Sequence, residues 1–368
     1  MAKEEQHIRV EIIEKFMMDV LLALGVPADE ARICTDILIS SDLRGIESHG
    51  VGRLKYYYDR IKAGVQFTTT QFEIVRETET TALVDGHHGM GHVIAHRAMR
   101  LAIDKAKQHG LGAVTVRNST HFGIAGYYPL MAAAEGLMGL TVTNARPAIA
   151  PTFGTEPMLG TNPIAFAAPS DMPFPFCFDG ATPIVQRGKV EVYARAEKPM
   201  PEGWLVDAEG NPATDPAKVL KDLDKGVAAF LPLGGQGETF GGHKGYGLAT
   251  MVEVLCASLS EGVFLRDLMG FAPDGSRRPY MVGHCFLAID VEHFVPLEAS
   301  RRITGQIMRD LQGSRREPGQ DRIYVAGEKE YESEKRVRAE GIRVNANLRR
   351  ELEIMRDELK IKGYEKYF

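Results

Sequence analysis

Three stretches of the chain gather side chains that can move protons or hold anions. The first, "SDLRGIESHGVGRLKYYYDR" at 41–60, places His49, Arg53 and Tyr57 at successive four-residue steps, the spacing that stacks side chains on one face of a helix. A histidine titrates near neutrality, and a guanidinium grips a carboxylate through two parallel N–H donors. One turn apart they suit an α-keto or α-hydroxy acid, with Arg53 holding the carboxylate and His49 giving or taking the proton on the neighbouring oxygen. The plainer account of the same face is that it looks at water. Gly50 and Gly52 interrupt the helical pattern, each costing about 1 kcal/mol relative to alanine. In return they let another backbone or a ligand approach closely.

The second stretch, "LPLGGQGETFGGHKGYGLA" at 231–249, runs five glycines into an apolar helical segment, with His243 and Lys244 near its start. Free N–H groups at a helix N-terminus, helped by a lysine, form an anion site. The P-loop pattern is not met, because Lys244 is followed by Gly245 and not by serine or threonine. A flexible loop with a helix cap is the alternative. In the third stretch, "VRNSTHFGIAGYYP" at 116–129, His121 sits on a polar loop between a strand and a helix, where α/β proteins present groups to ligands. It reads equally as a hydrogen-bonded loop histidine.

Two further patterns carry less. "LVDGHHGMGHVIA" at 83–95 offers Gly89 and Gly91 after a strand, but Ile94 stands at the third glycine position of a dinucleotide fingerprint and no acidic residue follows at the right distance. His88, His92 and His96 repeat every four residues and on one helix face would hold a metal, the basis of an alternative reading as a metal hydrolase. No glutamate sits between them as it does in HExxH sites, so exposed or capping histidines are the simpler account.

The elements around these residues read as α/β. The first 64 residues are helical by period, with a break at Gly25 and Pro27 and a third helix running from Ser48 to Gly64. From residue 72, "TTALVDG", "GAVTVRNS" and "GLTVTNA" are strand-like and alternate with the helical "HVIAHRAMRLAIDKAKQHG" and "GYYPLMAAAEGL", a pattern that argues for an α/β domain. Residues 145–240 read as long loops and short strands, 245–260 as a buried apolar helix and 283–291 as a buried strand. Beyond 328 the chain is charged and helical, with a stripe of Leu348, Leu352, Met355 and Leu359. With 368 residues, 44% hydrophobic and 25% charged, the chain can bury a large core. Its net charge of -5 and lack of a basic run argue against nucleic acid as a partner. Cys34, Cys177, Cys256 and Cys285 are scattered and read as reduced thiols of a soluble cytoplasmic protein. No apolar run approaches the length of a membrane span.

Taken together, "SDLRGIESHGVGRL", "VRNSTHFGIAGYY", "TNARPAIAPTFG", "LGTNPIAFAAP", "GGHKGYGLA" and "VAGEKE" resemble the type-2 malate/L-lactate dehydrogenases, a family that includes ureidoglycolate, sulfolactate and diketogulonate reductases. The resemblance implies an oxidoreductase that uses NAD or NADP to interconvert a 2-hydroxy acid and a 2-keto acid. It also implies a non-Rossmann cofactor fold with a mixed sheet. A helical domain of 1–70 with 330–368 would stand beside a discontinuous region within 71–329. The proton donor/acceptor falls on His49, with Ser48 as relay, while Arg53 and Tyr57 fall to the substrate and His121 lines the same pocket beside the nicotinamide. Cofactor contacts fall on Asp179, Gly180, Ala181 and Thr182 of "FDGAT", on His243 and Lys244, and on Gly327 and Glu328. Pro183 stands where the family often has serine, and proline removes a backbone donor there. No metal is implied, and a homodimer with its active site near the subunit interface is. For a substrate with a second anion, Arg44 and Arg146 are the cations on hand. Malate, lactate, sulfolactate and ureidoglycolate all stay open as substrates, and either His49 or His121 as the proton donor. The alternative within the same fold is an inactive, cofactor-binding member.

Overall fold

The computed structural model describes residues 6–368. A short strand, β1 (Gln6–Ile8), leads into α1 (Val10–Ala23) and α2 (Ala28–Leu43). Pro27 precedes α2, and Asp29 and Glu30 occupy its first turn, where carboxylates suit the helix dipole. The third helix differs from the sequence reading. Two single 3₁₀ turns, Glu47–His49 and Val51–Arg53, come first, and α3 spans only Leu54–Lys62. The reason is Asp42 at the end of α2. Its buried carboxylate accepts the Val51 N–H at 2.7 Å, and a Cβ at Gly50 would lie 1.9 Å from Asp42 Oδ1. Glycine beside His49 is therefore needed for a side chain to enter the backbone of the turn. Burial pushes the Asp42 carboxyl up to about 8.

The chain then forms β2 (Glu73–Glu77), β3 (Thr81–Asp85), α4 (Gly91–His109), β4 (Leu111–Ser119), α5 (Tyr127–Ala134) and β5 (Leu137–Thr143). Next come β6 (Ile164–Ala168), β7 (Phe176–Gly180), α6 (Arg187–Arg195), β8 (Leu205–Val206), α7 (Pro216–Lys225), β9 (Ala229–Phe230) and α8 (Gly242–Ala257). The last elements are β10 (Val282–Asp290), α9 (Leu297–Gly313), α10 (Glu328–Glu340), β11 (Ile342–Val344) and α11 (Ala346–Glu358). Seven strands make a mixed sheet in the order β2-β3-β4-β10-β5-β6-β7. Among the described residues only β3 and β4 run parallel in it, joined by the crossover helix α4. Phe286 and Ala288 of β10 face α4 and α5 with Ile94, Met99 and Tyr128. Cys285 faces the opposite side with Val252 and Cys256 of α8, as strand alternation requires.

The first and last described segments meet. β1 pairs antiparallel with β11, and Leu352, Met355, Tyr364 and Phe368 share a core with Phe16 and Met17 of α1. Residues 145–240 hold more helix than the sequence reading expects. α7 starts with Asp215 capping the Ala217 and Lys218 N–H groups and Pro216 in its first turn, a signature legible in "TDPAK". Helix α8 is buried on one face only, because Leu248, Met251 and Val254 are exposed. No helix among the described residues is long and apolar enough to cross a membrane.

Candidate active site

His49, Arg53 and Tyr57 come together, though not as a solvated helix face. Tyr57 is fully buried, because segments distant in sequence close over it. Its hydroxyl lies 2.6 Å from His121 Nδ1, and the Gly123 N–H donates to that same nitrogen at 3.3 Å. A backbone N–H can only donate, so Nδ1 is an acceptor and its partners assign the ring proton to Nε2. Burial holds the Tyr57 hydroxyl well above the usual tyrosine range, and it too donates to His121. Burial, followed by the charges of His49 and Arg53, keeps His121 well below the usual histidine range. His121 is thus a neutral ring with its donor on the far nitrogen.

His49 stacks on His121 with centroids 5.5 Å apart and planes 27° from parallel. Its Nδ1 lies 2.8 Å from Ser48 Oγ, and a hydroxyl can switch between donor and acceptor there. Burial first, then the Arg53 guanidinium, push His49 down to about 4. Arg53 is half-buried, and its Nε has no hydrogen-bond partner among the described residues. The guanidinium lies 5.4 Å from the Tyr56 ring, which in turn sits edge-on to His121 at 5.9 Å.

The three-histidine face does not form. His88 precedes α4 with a φ of 61°, so helical spacing does not apply to it. His92 lies in the core, edge-on to Tyr57 at 4.7 Å, and burial pushes it down to about 3. Among the described residues no group of three or more His, Cys, Asp or Glu side chains is placed to hold a metal ion.

The residues expected to hold a cofactor converge around the end of β7. The Leu233 N–H donates to the Thr182 carbonyl at 2.8 Å, which ties "FDGAT" to the glycine-rich loop before α8. Asp179 accepts the Gly126 N–H at 2.7 Å, joining β7 to the loop that carries His121. Burial raises Asp179 to about 6, and the charge of Arg44 acts in the opposite sense. Gly180 ends β7, with Ala181 beside it. Gly327 crosses the same strand with a φ of 93°, and a Cβ there would lie 2.9 Å from the Pro175 carbonyl oxygen. The Glu328 carboxylate is already held by Arg322, by Gln312 at 2.8 Å and by the Val325 N–H at 3.1 Å, so it shapes this turn from within the protein.

The glycine-rich loop leads directly into α8. It borders a cavity of about 470 Å³ with His243, Lys244 and Phe240 on its wall. Gly241 caps α8 with no side-chain hydrogen bond, and the Lys244 N–H donates to the Gly241 carbonyl at 2.9 Å. A Cβ at Gly245 would sit 2.2 Å from the Leu233 carbonyl oxygen, which is why the loop demands glycine next to Lys244. His243 and Lys244 are exposed, and Phe240 is 85% exposed.

Arg146 stands apart from both groups. It is exposed and lines a cavity of about 260 Å³ with Tyr56, Arg60, Arg278 and Tyr280. Sequence reasoning missed Arg60, Tyr56 and Tyr280. The "YYYDR" run shows the first two, but no spacing links them to Tyr280 on a loop far along the chain.

Comparison with known proteins finds a family match and close relatives. The family described as malate/L-lactate dehydrogenase matches residues 8–353. A malate dehydrogenase of Pyrococcus horikoshii is 46% identical over 330 residues, 89% of each chain. An L-sulfolactate dehydrogenase of Methanocaldococcus jannaschii is 38% identical over 355 residues, 96% of this chain and 97% of the other. The crystal structure of malate dehydrogenase from Entamoeba histolytica superposes with a TM-score of 0.93 at 43% identity, covering 98% of this chain and 99% of that one. With that match over residues 8–353 and a relative 46% identical across 89% of each chain, the chain belongs to the malate/L-lactate dehydrogenase family.

Proposed function

We propose that this chain is an NAD(P)-dependent dehydrogenase that interconverts a 2-hydroxy acid and a 2-keto acid, with His49 as general acid/base. The observation that carries the reading is the stack of His49 on His121 beside the unpartnered Nε of Arg53. The names of its relatives support the substrate class. The nicotinamide, when bound, accepts or supplies the hydride at the carbon that bears the reacting oxygen. Lys244, His243 and the start of α8 would hold the cofactor's phosphates, Gly180, Ala181, Thr182 and Gly327 would contribute further contacts, and Asp179 fixes the loop of His121. The single parallel pair of the sheet among the described residues and the lack of a GxGxxG motif support a cofactor site outside a Rossmann fold.

Each residue then has a role. Arg53 clamps the substrate carboxylate, which fixes the reacting carbon and its oxygen. His121 donates from Nε2 to that oxygen. Its Nδ1 is held as an acceptor by Gly123 and Tyr57, so it orients and polarises and keeps its proton. His49 delivers the proton in reduction and removes it in oxidation, and the Ser48 hydroxyl rotates to match its two states. One of the two causes that depress His49 is the charge of Arg53. An arriving carboxylate neutralises that charge and moves His49 back toward neutrality, where a general acid/base works best.

The helical segments 1–70 and 330–368 act as one domain beside a discontinuous 71–329 region, and the working unit is a homodimer. An apolar stripe of Ile303, Ile307 and Leu311 on α9, each more than half exposed, supports a second copy as its cover.

The test follows the reduced cofactor's near-ultraviolet absorbance with NADH, then NADPH, against oxaloacetate, pyruvate and sulfopyruvate. Rapid loss with one of these acids is expected. NADH binding without turnover of any of them would mean either an acid outside this set or an inactive member of the family.

A further inference from the structure

We infer that His284 on β10 is a positioning residue for the reaction, fixing through the ring of Phe122 the loop that carries His121. This inference rests on the dehydrogenase reading above, in which His121 donates to the reacting oxygen. His284 is fully buried where β10 runs between β4 and β5. Both of its ring nitrogens are engaged: Nδ1 lies 2.7 Å from Thr143 Oγ1, and Nε2 lies 2.7 Å from Ser119 Oγ. Thr143 and Ser119 are the last residues of β5 and β4. The Thr143 hydroxyl directs its proton to the Asn144 and Gly283 carbonyls at 2.9 and 3.0 Å, so its oxygen accepts from Nδ1–H. Nε2 then accepts from the Ser119 hydroxyl. Burial pushes the ring down to about 3, so it stays neutral.

The sheet is adapted to this bridge. Val282 pairs with Ser119 and His284 with Val116, so two steps along β10 span three along β4. The extra residue makes a bulge, which re-aims side chains beside it. A shift of register by one residue changes the face a side chain takes, and here it turns Ser119 onto the face of His284. Asn118, inside the bulge, has a φ of 52°.

A ring bonded at both nitrogens has one plane, and Phe122 lies flat on it, with centroids 4.5 Å apart and planes 5° from parallel. Tyr128 of α5 stacks on Phe122 as well, at 4.9 Å and 25°, and its hydroxyl donates to the Phe122 carbonyl. Side chain and backbone of Phe122 are therefore both held. Its two neighbours are His121 and Gly123, and the Gly123 N–H donates to His121 Nδ1 at 3.3 Å. Ahead of His121, Thr120 Oγ1 accepts the Gly91 N–H at 2.9 Å and donates to the Gly89 carbonyl at 2.8 Å. An apolar side chain at 284 would fill the space yet leave the Phe122 ring free to turn. The bonded imidazole fixes that ring, and a donor misplaced by about 1 Å can cost about 100-fold in rate.

The experiment measures kcat with the preferred keto acid, affinity for the reduced cofactor, the isotope effect with cofactor deuterated at the transferred hydrogen, and the unfolding midpoint. The full-length proteins are wild type, His284→Leu, His284→Phe, Phe122→Leu and the double variant of His284→Leu with Phe122→Leu. His284→Leu is expected to lower kcat about 10- to 100-fold and to raise the isotope effect, with cofactor affinity unchanged. His284→Phe keeps a ring against Phe122 but neither hydrogen bond, so its kcat should fall between wild type and His284→Leu. It carries the same cycle if the leucine variant does not fold. The double variant should be no slower than the slower single variant, because both residues act through one contact. A purely structural His284 would lower the unfolding midpoint and leave kcat and the isotope effect of the folded enzyme at wild-type values, which overturns the role. Losses in kcat that multiply in the double variant put His284 on a path outside Phe122 and also overturn it. Both of those outcomes leave the dehydrogenase standing. A wild type that reduces no 2-keto acid removes that reading, and the role of His284 falls with it.

Discussion

At the scale of single residues, the division of labour between two histidines follows from what touches them. The Gly123 N–H and the Tyr57 hydroxyl both point at Nδ1 of His121, and protonating that nitrogen would set donor against donor. His49 faces only the adaptable hydroxyl of Ser48 there, so it is the ring free to change charge. Burial and Arg53 place its pKa at about 4 in the free enzyme. Oxidation needs neutral His49, so kcat/KM for the hydroxy acid should rise with pH through about 4 and then stay level across neutrality. Reduction needs the protonated ring, so kcat/KM for the keto acid should fall as pH rises above the same point. Initial-rate profiles in both directions check this, and a break near an ordinary histidine value would contradict it.

At the scale of elements, the turn between α2 and α3 sets the position of His49, and Asp42 sets the turn. Gly50→Ala would force a methyl against Asp42 Oδ1 at 1.9 Å. The expected cost is about 1–3 kcal/mol of stability, as for other overpacked sites, together with loss of activity as His49 shifts. Urea unfolding with a parallel rate assay reads both, and a variant of wild-type stability would refute the anchoring by Asp42. This turn also shows what local pattern could and could not reveal. The helices α4 and α5 and the strands β4 and β5 were legible because each buries one periodic face. The helix read from Ser48 starts only at Leu54, because Asp42, a polar residue on a buried face, carries no periodic signal. Helical spacing leaves open whether the face of Tyr57 looks at water, because His92 and His121, which cover it, come from elsewhere in the chain. The placement of β10 between β4 and β5 is likewise a long-range choice that no local spacing encodes.

At the scale of the whole molecule, the chain closes on itself. Phe368 lies 4.7 Å from Phe16, edge to face, and 5.9 Å from Tyr364, so the last residue sits in the core of the first helix. The stripe of Leu348, Leu352, Met355 and Leu359 was visible in sequence, but only the folded chain shows that α1 receives it. Phe368→Ala is expected to destabilise the protein by about 3 kcal/mol, typical of a buried ring lost from a core. An unfolding midpoint equal to wild type would contradict that. The same closure positions the catalytic turn, because Gly45, just ahead of it, packs on Ser333 of α10. Helix α10 therefore packs against the turn that carries His49.

The most direct test of the account is the turnover number of His49→Gln with the preferred keto acid and reduced cofactor at saturation. The account predicts a fall in kcat of about 100-fold or more, the usual worth of a general acid, with the cofactor still bound. A kcat close to wild type would contradict it and pass the proton to His121.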